Sequence, residues 1–463
     1  MTNTKTNSMA SNMTHTIRSK CLQLLIGSLI ATQVQAATLQ EIFELAVNND
    51  PELAAAEATF KSNSEILVTG RAGLLPRINL SGGSSVGNLW ILGTPLPSEP
   101  SGSHSWNASL QQPLFQLDSW YRFKKSRNQH AQFVATFADA QQTLIVRVAE
   151  SYLAVLEAQA ALTSAQAQRD SVQRQLEQVQ QRFDVGLVAI TDVLEAKAAF
   201  DDAIVAVIER EGSQNTSFES LLRITGQPIS EVSGFVAEMP IEYPKPNNVE
   251  AWVEKALQQN YSLVAGREGL EASAKDVKIA RAGHFPTVTA SAGWNHNVNK
   301  GRNFLGSKTD NRSYSVNINI PVYQGGNVRS GAKQAAYSHD AAQSNYDFQQ
   351  RTIVENTRNL FTAINTDVAR VRARQRSIES SQSALDATRT GYEVGTRNIV
   401  EVLQAQQQLY QAQFQYASAR YQYIRDNLRL KQMVGSLSPD DISAVTQYVE
   451  TSNVVRRVVP NTR

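Results

Sequence analysis

The chain has 463 residues, with 44 Lys and Arg against 42 Asp and Glu, and a single cysteine. A near-neutral balance without a polybasic block argues against nucleic acid as a partner and against a membrane-surface electrostatic switch. One cysteine excludes a disulfide framework and a thiolate metal site, and the length suffices for two or three ordinary domains.

Residues 1–36 read as a signal peptide. Lys5, Arg18 and Lys20 precede the apolar run CLQLLIGSLIA, and Val34-Gln35-Ala36 offers small residues for cleavage before Ala37. Met13 is an alternative start. Removing the leader's three basic residues leaves 41 basic against 42 acidic side chains, a net charge of −1, and takes Cys21 away. Cys21 stands before the apolar run, the wrong place for a lipidated N-terminus, so no lipid is expected. Beyond the leader no apolar run reaches the ~18 residues of a membrane helix. An exported chain of this kind is then soluble or a β-barrel.

The remainder is written twice, with an offset near 210. TLQEIFELAVNNDPEL (38–53) matches NVEAWVEKALQQNYSL (248–263), and RAGLLPRINLSGG (71–83) matches RAGHFPTVTASAG (281–293). DVGLVAITDVL (184–194) matches EVGTRNIVEVL (393–403), with Gly186 and Gly395 lying 209 positions apart. The period is too long for a solenoid, so two large copies lie side by side. The first copy spans 37–236: strands near 76–90 and 104–116, a long helix over 119–184, a returning helix over 190–226. A linker, 237–247, leads to the second copy, 248–437: strands near 286–297 and 312–322, a long helix over 327–392, a returning helix over 398–434. A C-terminal helix with a loose tail fills 438–463. The fold class is mainly α with a β portion.

The strands alternate with period two. Tyr314, Val316, Ile318 and Ile320 alternate with Ser315, Asn317 and Asn319, and Val288, Ala290, Ala292 and Trp294 with Thr289, Ser291 and Gly293. The polar side is Ser, Thr and Asn, almost without charge. Such strands fit a half-buried antiparallel sheet, or a membrane barrel with an apolar lipid face and a wet lumen. The leader and the duplication favour the barrel, and Trp90, Trp106 and Trp294 fit a membrane interface. Four strands cannot close around a lumen, so a barrel would need several chains.

The helices have another period. Ser119 to Asp184 contains no proline or glycine, and Val328 to Thr390 only Gly331. Each run is roughly 100 Å long at about 1.5 Å per residue. Ile364, Val371, Ile378, Leu385 and Tyr392 fall at strict sevens, as do Val402, Leu409, Tyr416, Tyr423 and Leu430. A seven-residue period imposes a left-handed supercoil. At VGLVAI the helix must reverse, and Gly186 and Gly395 supply backbone angles closed to other residues. Val185, Leu187, Val188 and Ile190 in one turn, and Val394 and Ile399 in the other, are costly to leave in water. Asp192 and Glu401 open the returning helices, where a carboxylate suits the helix dipole, and Asn398 with Glu401 has capping-box spacing. The six histidines are scattered, so no metal site or other cofactor is expected, and no nucleophile motif or other enzymatic constellation appears.

With RFDVGLVAITDVLEAKAAFD (182–201), YEVGTRNIVEVLQAQQQLY (392–410), ARAGHFPTVTASAG (280–293) and PVYQGGNVRS (321–330), the chain resembles the TolC family of outer-membrane exit ducts. The resemblance runs from about Leu39 to Leu437. It implies a homotrimer in outer-membrane lipid, each chain giving four strands to one shared barrel and its helices to a periplasmic tunnel. It implies a periplasmic adaptor (membrane fusion protein) and an inner-membrane pump of RND, MFS or ABC type. The turns become the tunnel tips, with Val185, Gly186, Leu187, Val394, Gly395 and Thr396 docking the adaptor. A gate is implied at Asp192, beside Thr191, tied to Tyr392 and Arg397. Two acidic positions of the family's constriction correspond to Glu401 and Gln404, of which only the first is a carboxylate, so weaker cation selectivity and metal-ion block are expected than in a two-ring relative. The competing reading is a soluble periplasmic coiled-coil adaptor or scaffold, which explains the leader and heptads but not the strand pairs.

Overall fold

The computed structural model describes residues 36–89, 99–236, 239–300 and 307–458; the predicted leader 1–36, save its last residue Ala36, and Trp90 lie outside them. Each copy starts with a short helix, α1 (Leu39–Asn49) and its later counterpart α6 (Val249–Gln259), and continues upward through helices the sequence reading passed over. These are α2 (Pro51–Ser64) and α3 (Ile66–Ala72) in the first copy, and α7 (Tyr261–Ala282) in the second. The starts of α2 and α7 were visible as residue types: the Asp50 and Asn260 side chains accept from the Leu53 and Leu263 amides, the N-cap geometry that satisfies otherwise unpaired donors.

Two hairpins follow, β1 (Arg77–Leu89) with β2 (Glu99–Phe115) and β4 (Thr287–Lys300) with β5 (Lys308–Asn319). They join in one antiparallel sheet of order β1-β2-β4-β5. The strands extend into the predicted loops: β2 starts at Glu99 rather than near 104, and β5 at Lys308 rather than near 312. Polar turn-like residues such as Asn297 and Thr309 pair in register there, because ladder hydrogen bonding outweighs weak strand propensity.

The long helices are α4 (Leu117–Asp184) and α8 (Asn327–Glu393), returning as α5 (Ile190–Thr225) and α9 (Ile399–Met433), within a residue or two of the predicted bounds. The heptad positions are the seam: Ile364, Val371, Leu385, Val402, Leu409 and Leu430 are buried. The largest core lies midway along the helices, where Leu39, Ile42, Tyr152, Leu153, Phe218, Ile424 and Ile442 meet. A smaller core near the turns joins Val179, Val193, Leu385, Ile399 and Val402.

The end of the first copy and the expected loose tail differ from the sequence reading. After α5, still within the first copy, the chain forms β3 (Glu231–Phe235), and after the C-terminal helix α10 (Pro439–Thr446) it forms β6 (Val449–Arg456), paired antiparallel with β3. Val232, Phe235 and Val455 are buried there. Burial of these apolar side chains against Tyr152 and the central core orders a segment whose Ser, Asn and Glu content reads as loop. Ala37 bridges Val232, so the start of the described chain joins the same small sheet.

Candidate functional site

Both helix reversals have one backbone design. Gly186 has φ 77° and Gly395 φ 78°, the left-handed region that other residues enter only with strain. The Leu187 amide donates to the Arg182 carbonyl at 2.8 Å, and the Thr396 amide to the Gly391 carbonyl at 2.8 Å. A Cβ on either positive-φ glycine would meet no atom within 4 Å, so conformation, not space, requires glycine. Of the apolar turn residues, Ile399 is buried and Val188 packs on the lower core, whereas Val185, Leu187 and Val394 remain 70%, 71% and 70% exposed.

The polar residues are distributed differently from the expected ties. Arg397 Nη1 contacts Glu401 Oε2 at 2.5 Å, one turn along the same chain, rather than Asp192. Asp192 has no side-chain ion pair among the described residues; its amide donates to the Ala189 carbonyl in the first turn of α5. Arg397 stands just before the N-cap Asn398, and its side chain reaches forward to Glu401 in the first turn of α9. Arg397 holds the Glu401 carboxyl below the usual range, with help from the Asn398 amide. The capping box is present: the Glu401 amide donates to Asn398 Oδ1 at 2.9 Å, and the Asn398 amide to Glu401. Gln404 lies one turn on and is exposed, as is Thr191. Tyr392 packs on the lower core with its hydroxyl buried and unpartnered, and the Arg182 guanidinium lies 5.2 Å from its ring centre.

The sheet is two-faced and bare. One face carries Ile78, Leu80, Val86, Trp106, Tyr314, Val316 and Ile318, all more than half exposed. Register aligns Ile78, Leu110, Ala292 and Tyr314 across the four strands on that face. The row Ser81, Asn107, Asn295 and Asn311 crosses the other face. No described helix covers the apolar side, and leaving each large side chain in water forgoes about 1.5–3 kcal/mol of burial. An apolar band on one side and small uncharged polar groups on the other is the pattern of a strand set between lipid and an aqueous lumen. No described helix is long and apolar enough to cross a membrane.

The chain matches the family described as outer membrane efflux protein over residues 42–227 and 252–436, one match in each copy. It is 36% identical to the outer membrane protein TolC of Vibrio cholerae, across 92% of this chain and 98% of that one. It is 26% identical to the proteases secretion protein PrtF of Dickeya chrysanthemi, across 95% and 97%. The fold is similar to the crystal structure of the CmeC outer membrane channel of Campylobacter jejuni, with a TM-score of 0.73, 16% identity, and 90% and 91% of the two chains covered. The chain belongs to the outer membrane efflux protein family.

As a member of this family it is an outer-membrane exit duct for efflux or secretion, extending into the periplasm. The soluble adaptor or scaffold reading is thereby set aside. The efflux-family frame also shows what sequence reasoning missed at the turns. Arg182 has Gly391 as its counterpart 209 positions on, and a Cβ at Gly391 would come within 2.7 Å of the Arg397 side chain. The missing side chain in the second copy is what lets Arg397 fold across its own turn. The signal was the unpaired Arg/Gly difference between otherwise matching repeats.

Proposed function

We propose that three copies of this chain assemble into one conduit, with a twelve-stranded barrel continuing into a tunnel of helices. The observation that carries this reading is the uncovered two-faced sheet. Its edges, β1 and β5, each have a neighbouring strand on one side only, and a neighbouring copy's edge completes the other. The helices support the same closure. Helix α5 packs chiefly on α4, and its other side exposes Leu194 and Ile208 at 58% and 62%. In α9, held between α8 and α4, no large apolar residue is comparably exposed.

The cargo reaches the conduit from an inner-membrane pump of RND, MFS or ABC type through a periplasmic adaptor. Val185, Gly186, Leu187, Val394, Gly395 and Thr396 form the adaptor-docking tips, for which the exposed apolar side chains speak. Asp192, Thr191, Tyr392 and Arg397 form the gate region. Glu401, kept ionised by Arg397, gives one acidic ring of three in the constriction, and Gln404 leaves the next ring uncharged. Such a ring attracts cations. The test is a planar-bilayer recording combined with an unheated detergent gel. A heat-sensitive oligomer that conducts ions fits the reading; a water-soluble monomer without conductance refutes it.

A further inference from the structure

The junction between sheet and helices is basic, although the chain as a whole is nearly neutral. The four segments that flank the strands, residues 66–77, 117–128, 270–286 and 321–335, hold eleven Lys and Arg against three carboxylates. Each carboxylate is already engaged: Asp118 with Arg122 at 3.6 Å, Glu271 with Lys275 at 2.9 Å, and Asp276 with Lys125 at 2.7 Å. Arg71, Lys124, Lys278 and Arg281 are exposed and have no ion pair among the described residues. Arg71 and Arg281 are the same position of the two copies, in RAGLLP and RAGHFP.

The geometry of α4 says which way this charge faces. Ser119 and Ser126 turn toward Gly73 and Gly70 of the α3 segment, and Lys125 toward Asp276 of α7. Asp118, Arg122 and Gln129 line a cavity of about 510 Å³ together with Arg77, which alternates onto the polar side of the sheet with Asn79 and Ser81. Trp120 and Lys124, one turn apart, lie on the remaining face, which therefore continues the apolar side of the strands. There Lys124 Nζ lies 5.1 Å from the Trp120 ring centre, and Lys278 Nζ 5.9 Å from that of Tyr121. Arg281 leads up to Phe285, 49% exposed, just before β4. The sequence of layers from sheet to helix is apolar band, aromatic rings, then unpaired cations.

We propose that this collar docks on anionic phospholipid headgroups of the periplasmic leaflet. The cations sit within roughly 15 Å of the strand ends at about 1.5 Å per helical residue. Their long stems reach toward the headgroup layer while aromatic rings mark its apolar border. A phosphodiester offers a charge-assisted hydrogen bond that no carboxylate of the protein supplies to these groups. The proposal rests on the membrane-inserted duct described above.

The test reconstitutes the full-length protein in phosphatidylcholine vesicles carrying spin-labelled phosphatidylglycerol or spin-labelled phosphatidylcholine. The relative association of the two labelled lipids with the protein is read from the motionally restricted spectrum. The wild type should prefer phosphatidylglycerol severalfold, on the order of fivefold for one well-placed cation, and lose the preference at high salt. The R71Q/K124Q/K278Q/R281Q variant should lose it while keeping its heat-sensitive oligomer and conductance. Equal association of both lipids with the conducting wild type, a preference indifferent to salt, or an unchanged preference in the variant overturns the collar alone. The wild-type salt series keeps the proposal testable if the variant does not fold. A wild type that neither inserts nor conducts fails the duct reading and takes the collar with it.

Discussion

The two helix reversals share a backbone and differ in chemistry. Gly186 and Gly395 adopt the same left-handed angle and the same hydrogen-bonded turn. The first turn is apolar outside: Val185 and Leu187 are exposed, and α5 begins at Ala189 without a side-chain cap. The second is polar: Arg397, Asn398 and Glu401 form an ion pair and a capping box over it. Duplication preserved what the chain must do to reverse direction and released the surface to diverge. Both turns expose an apolar residue at the tip, Leu187 in the first and Val394 in the second, but only the second sets a charged pair beside it.

The contrast is broken most severely by Leu187→Glu. Adaptor cross-linking to the tips should be lost while the unheated oligomer stays intact on gels, and Arg397→Glu in the second turn should weaken it less. Equal losses would remove the division of labour between turns. Next in size is Glu401→Gln, which should reduce cation selectivity in a salt-gradient bilayer measurement. Because Arg397 lowers the Glu401 carboxyl below its ordinary 4.5, wild-type selectivity should persist as pH falls through 4.5. An unchanged reversal potential on mutation would rule out the ring.

A third prediction concerns the second copy away from its turn. Asp367 is buried on α8, and its carboxyl is pushed up to about 6 by burial and by the neighbouring Asp426, against the pull of Arg370 and Arg425. The protonated form is favoured in the folded state, so this contribution is fully present below about pH 4 and lost as pH rises through 6. Asp367→Asn should raise the melting temperature by several degrees at pH 8 and change it little at pH 4. The smallest effect is at the caps: Asn398→Ala should cost about 1 kcal/mol of stability, and Ala189→Ser should gain somewhat less.

The frame was legible in the sequence because it depends on periodicity. Heptads from Ile364 to Tyr392 gave the seam, and alternation from Tyr314 to Ile320 gave the sheet. The repeat of VG gave the two turns. What escaped was set by tertiary context. The β3–β6 pair depends on burial of Val232 and Val455 by residues far away in sequence. The pairing of Arg397 depends on an absent side chain at Gly391. The basic collar is dispersed over four segments, and becomes a feature only when the sheet brings their ends to one level.

The small β3–β6 sheet holds together the beginning of the described chain, the crossing between copies and the C-terminal strand. The Arg457 amide donates to Ser230 at 2.8 Å, and Gln214 of α5 donates to the Arg456 carbonyl at 3.1 Å. Below Gln214, α5 continues to Ile190, roughly 36 Å at about 1.5 Å per residue, with Val458 packed beside Val207 just under the clasp. Along that length α5 is seated on α4, through Val207 against Leu162 and Ala165 and through Val193 against Val179. One small sheet at the waist therefore fixes three distant parts of the chain to the same rod, well away from the turn in which that rod begins.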